Sequence, residues 1–108
     1  MDEATYQTLA DQALARIEDA FKDIDADDVD CERAGDVLTL TFAGGKRCVV
    51  NTQRPTRQLW LAANARAWHF SYDPAGKRWV DDKAGTVELF EQIRQVAKDT
   101  AGVDIRFS

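Results

Sequence analysis

From Glu3 to Ile24 the apolar residues Tyr6, Leu9, Ala10, Ala13, Ile17, Phe21 and Ile24 recur at three- and four-residue steps. That spacing is one stripe of an amphipathic helix and predicts a helix over this stretch. At about 100° per residue, Asp11 and Glu18 fall almost in line, roughly opposite the stripe, with Asp19 on the same polar side. Past Lys22 the pattern dissolves into Asp23-Ile-Asp-Ala-Asp-Asp-Val-Asp30, which carries carboxylates through the helix end and into the next element.

The period then shortens to two. Val37 to Phe42 places Leu38, Leu40 and Phe42 on one face and threonines on the other, a half-buried strand. Ala43-Gly44-Gly45 is a turn, and Lys46 to Thr52 pairs back as a hairpin. Arg54-Pro55 interrupts, because proline donates nothing to a ladder. Strands follow at Gln58 to Ala63 and Trp68 to Tyr72, and a short one at Arg78 to Asp81 after the turn Asp73-Pro-Ala-Gly76. Thr86 is the expected cap of a second helix with the stripe Leu89, Phe90, Ile93, Val96 and Ala97, ended by Gly102. Val103, Ile105 and Phe107 make an alternating tail. The order predicts an α+β fold: a two-layer sandwich with both helices on one face of a five- to six-stranded antiparallel sheet.

Alternation also assigns the other face of that sheet. Leu59 and Leu61 inward turn Trp60 outward; Trp68, Phe70 and Tyr72 inward turn His69 outward; Val50 inward turns Asn51 and Gln53 outward. An exposed Trp forfeits roughly 2–3 kcal/mol of burial, and Trp is a preferred interface anchor. Trp60 therefore points to partner binding.

Length and charge narrow the possibilities. With 108 residues, 44% of them hydrophobic, residues 1–108 are expected to form one domain with one core. No apolar run approaches the ~20 residues needed to span a bilayer. The N-terminus lacks the basic and apolar regions of a signal peptide, so the expected compartment is the cytoplasm. Cys31 and Cys48 form no metal or redox motif and are expected as small apolar core residues.

Residues 1–35 hold 11 Asp and Glu against 3 Lys and Arg, a net of −8, whereas residues 36–108 carry +3. The overall −5 disfavours nucleic acid and anionic membranes, although Arg47, Arg54, Arg57 and Arg66 around Trp60 would suit single strands. Carboxylates packed this densely repel one another, and cations or a basic partner relieve the repulsion. Carboxylates and water suit hard cations, held weakly and openly, on the order of 10⁻⁴ M or somewhat tighter. A lone His with no nucleophile beside it, and no phosphate loop, argue against an enzyme.

Asn51-Thr-Gln53-Arg-Pro55-Thr-Arg-Gln58-Leu-Trp60-Leu-Ala62 resembles the frataxin signature, Asn-x-Gln-x-Pro-x-x-Gln-x-Trp-x-Ala or Ser. Trp68-His69-Phe70, Arg78-Trp79-Val80 and the acidic first helix extend the resemblance, to the bacterial branch in particular, over essentially the whole chain. The resemblance implies a role in iron–sulfur cluster assembly, with Fe2+/Fe3+ weakly bound and no organic cofactor. It maps iron binding to Glu18, Asp19, Asp23, Asp25, Asp27, Asp28 and Asp30. It maps docking on a cysteine desulfurase to Asp11, Glu18, Asp19, Asn51, Gln53, Trp60 and His69, with the cluster scaffold as a second candidate partner. It further implies a monomer, with iron-dependent oligomers and iron oxidation or storage as the alternative. Lys22 stands where relatives usually carry an acid.

Overall fold

The computed structural model describes residues 1–83 and 85–107. Helix α1 runs over Glu3–Phe21 and opens on Asp2, whose side chain accepts the Thr5 N–H at 2.7 Å. It stops three residues short of the predicted Ile24. Its last turn holds acids and no base, which the negative end of the helix dipole disfavours. The aspartates beyond prefer turns: Asp25 accepts the Asp27 N–H on its carboxylate and the Asp28 and Val29 N–H groups on its carbonyl. That turn aims the chain into the first strand.

Six strands follow, β1 (Val29–Ala34), β2 (Val37–Phe42), β3 (Arg47–Gln53), β4 (Gln58–Ala63), β5 (Arg66–Asp73) and β6 (Arg78–Asp81). They lie in chain order, every neighbour antiparallel. A 3₁₀ turn at Arg54–Thr56 accommodates Pro55 between β3 and β4. Asn64 and Ala65, both at positive φ, close the two-residue hairpin between β4 and β5. So tight a loop fixes the register, and it sets Trp60 directly opposite His69.

Helix α2 spans Leu89–Ala101. Glu88 caps it, not Thr86: the Glu88 carboxylate accepts the Phe90 and Glu91 N–H groups. The Thr86 and Val87 N–H groups instead go to the Asp81 carboxylate, which holds Thr86 in the preceding turn. Gly102, at φ 67°, ends the helix as expected.

Both helices pack on one face of the sheet. Tyr6, Leu14 and Ile17 of α1 and Leu89 and Ile93 of α2 share a core with Leu38, Leu40, Val50, Leu59, Leu61 and Phe70. Trp68 and Tyr72 pack against its margin on the same side. In the tail only Ile105 is fully buried, while Phe107 meets Phe90 at 4.9 Å. Among the described residues no helix covers the other face of the sheet.

Candidate functional site

The acids of the first third lie along α1 and around the turn into β1, and the structure divides them in two. Along the helix the acids are partnered. Arg33, pointing from β1 back toward α1, donates to Asp11 at 3.0 Å and to Glu18 at 3.4 Å. Asp11 and Glu18 are in line, as their spacing predicts, but they face the edge strand and not the open side of the helix. Lys22 pairs with Asp19 at 2.9 Å, and that carboxylate raises the Lys22 pKa. Lys22 also puts a cation at the otherwise acidic C-terminal end of the helix.

Around the corner the acids lack salt-bridge partners among the described residues. Asp23, Asp25, Asp27, Asp28 and Asp30 form no ion pair among the described residues. Asp25 is engaged by the Asp27 N–H; the carboxylates of Asp23, Asp27 and Asp28 point into solvent. Val29 lies in the core, so alternation turns Asp30 and Glu32 to the open face of the sheet. Acids therefore continue from the turn onto the edge strand. Among the described residues no three His, Cys, Asp or Glu converge on one point. A cation here would meet no closed cage and would keep waters.

The second region is the open face. Asn51 sits opposite Trp60, and Trp60 opposite His69, so three expected residues form one row across β3, β4 and β5. Gln53 lies one row further on, opposite Gln58. The indole and imidazole stack at 4.2 Å with planes 16° apart. Trp60 is half-buried because His69 covers one of its faces. The Trp60 Nε1–H donates to Gln58 Oε1 at 2.9 Å, and Gln58 Nε2 donates to Ser71 Oγ and to Asp82 Oδ2, each at 3.2 Å. Asp82 Oδ2 also lies 3.7 Å from His69 Nδ1. Beneath the face, the Tyr6 hydroxyl donates to the Gln58 carbonyl at 2.7 Å and accepts the Gln53 N–H at 3.1 Å.

Four participants, Arg33, Tyr6, Gln58 and Asp82, were not singled out as site residues by pattern alone. Arg33 had a signal, since it is one of 3 bases among 11 acids in residues 1–35. Gln58 stood in the signature. Asp82 lies just past β6, where alternation no longer assigns a face.

The remaining chemistry is muted. Cys48 is buried and its thiol pushed up to about 12; half-buried Cys31 is pushed up to about 11 by burial, then by Glu18 and Asp30. Neither is a nucleophile at neutral pH. Arg54 pairs with Asp36, Arg57 binds the Arg54 carbonyl, and Arg66 lies over Trp68, so these bases do not gather around Trp60. No described helix is long and apolar enough to cross a membrane.

The family model of the frataxin-like domain matches residues 1–103. This chain belongs to the frataxin family. An iron–sulfur cluster assembly protein CyaY from Azotobacter vinelandii is 38% identical to it over 107 residues, 99% of this chain and 96% of that protein. The protein of the same name from Pseudomonas fluorescens is 37% identical over the same shares. A solved frataxin of the CyaY family, from Psychromonas ingrahamii, superposes with a TM-score of 0.89 at 28% identity, covering 100% of this chain and 99% of that one. The α–β sandwich expected from periodicity is thus the fold of the family.

Proposed function

We propose that this frataxin-family protein is a non-enzymatic, cytoplasmic component of iron–sulfur cluster assembly. It holds Fe2+ or Fe3+ weakly on the acidic corner between α1 and β1 and docks on a cysteine desulfurase through the ridge and the open face of the sheet. The observation that carries this reading is the run of carboxylates at the corner without salt-bridge partners among the described residues, continuous around the edge strand with a face that presents Trp60. The names of the relatives from Azotobacter and Pseudomonas supply the pathway.

Hard cations select carboxylate and water oxygens, and the corner offers these without nitrogen or sulfur ligands. Its expected affinity is low because no rigid cage forms, which suits handing iron on better than storing it. Carboxylate sites that oxidise iron pairs hold them with converging Glu and Glu-x-x-His ligands; no three candidate ligands converge among the described residues, so the open site is the favoured arrangement. Glu18, Asp19 and Asp11, already paired, contribute charge to docking more than oxygens to iron.

A titration with Fe2+ followed by amide NMR tests the metal half. The resonances from Asp23 to Asp30 should broaden or shift first, before those of Asp11. Signals that stay unmoved at millimolar iron would overturn it. For docking, the double reversal Asp23→Lys with Asp27→Lys should weaken desulfurase binding more than about tenfold at low salt; unchanged affinity refutes a role for the corner.

A further inference from the structure

The open face holds a closed ring of contacts that none of the expected residues explains by itself. Trp60 donates to Gln58, Gln58 donates to Asp82, Asp82 faces His69, and His69 stacks back on Trp60. The ring draws on β4, β5 and the turn after β6. Its polarity is self-consistent. An indole N–H only donates, so the Gln58 amide must turn its oxygen toward Trp60. Its NH2 then faces Asp82, an acceptor, and the Ser71 hydroxyl. Asp82 is itself held in place: its N–H donates to the His69 carbonyl at 2.8 Å, and Asp81 organises the turn by accepting the Thr86 and Val87 N–H groups.

We propose that Asp82 and Gln58 are positioning residues, which hold the Trp60–His69 stack in the geometry that a docking partner meets. The inference rests on the docking role proposed above for this face. A half-buried indole on a bare sheet has several rotamers, and ordering it on contact costs affinity; a ring that fixes it beforehand removes that cost. The ring also decides what Trp60 can offer. Its N–H is spent internally and one face lies under the imidazole, so the partner meets an apolar ring surface and not a hydrogen-bond donor.

The chain has a single His, so its imidazole carbon-bound protons give isolated NMR signals, shifted upfield while they lie over the indole. In Asp82→Ala these signals should move downfield toward free histidine. Desulfurase affinity should drop roughly three- to tenfold, the effect of ordering one freed side chain. Asp82→Asn keeps an acceptor for Gln58 and should restore both readouts to within about twofold of the parent. Upfield signals that persist in Asp82→Ala overturn the proposal. So does an Asp82→Asn variant as impaired as the alanine, which would assign the effect to charge. Trp60→Ala separates the two layers: if it binds the desulfurase as tightly as the parent while Asp82→Ala still frees the imidazole, the ring stands and the docking reading falls.

Discussion

Arg33 shows how one side chain redistributes the charge of a whole region. Its guanidinium spans Asp11 and Glu18, and its Nε donates to the Gly35 carbonyl at 3.0 Å, so it links α1 to the edge strand. The pairs are partly exposed and solvent screens them. Arg33→Ala should therefore cost only about 0.5–1 kcal/mol, read as a lower urea midpoint. The same change strips the cation from two carboxylates and should strengthen iron binding in a calorimetric titration. Lower stability with stronger iron uptake is the signature; unchanged iron binding would show that the paired acids lie outside the site. Helical spacing places both acids on the polar side of the helix but fixes only the angle between them. What faces that angle depends on how the edge strand lies against the helix, which no local period encodes.

At the scale of elements, Tyr6 joins the first helix to the loop that carries the signature. Its ring belongs to the buried stripe and was legible as such. Its hydroxyl sits between the Gln58 carbonyl and the Gln53 N–H and clamps the two ends of the 3₁₀ turn where β3 gives way to β4. Tyr6→Phe keeps the ring and leaves two backbone groups short of a partner, at a cost of about 1–3 kcal/mol by chemical denaturation. The Gln53 amide, whose N–H the hydroxyl accepts, should also exchange faster with solvent; unchanged exchange there would remove the clamp from the account. Strand alternation places Trp60, His69 and Asn51 on the open face because each has at least one strongly apolar strand neighbour, and Gln53 follows Asn51 two residues on at the end of β3. Helix ends were less legible. The first stopped early where aspartates formed turns, and the second began after Asp81 had captured the N–H groups of the expected cap. Both outcomes turn on side-chain to backbone bonds that compete with the helix over single residues.

For the molecule as a whole, the docking proposed above would give one partner two separate holds, the acidic corner and the Trp60 row. Trp60 lies on β4, three strand spacings from β1, or about 14 Å across the sheet. A standard interface buries about 800 Å² on each side, wide enough to cover both. At that separation their contributions should add as free energies, so that fold losses multiply. On that reading the corner would act through charge, and charges further apart than about 10 Å are screened at 0.1 M salt. The Trp60 row would act through apolar contact and should be insensitive to salt. Affinities of the desulfurase for the Asp23→Lys/Asp27→Lys variant, for Trp60→Ala and for their combination, each measured across a salt series, therefore separate the two. Trp60→Ala should lose about thirtyfold at every salt, the effect of a buried aromatic anchor. The charge reversal should lose most at low salt and converge on the parent as salt rises. The combined variant should show the product of the two losses at each salt. A combined loss no larger than the greater single one would mean that only one surface touches the partner at a time, and the ridge would then remain free to carry iron while the sheet is docked.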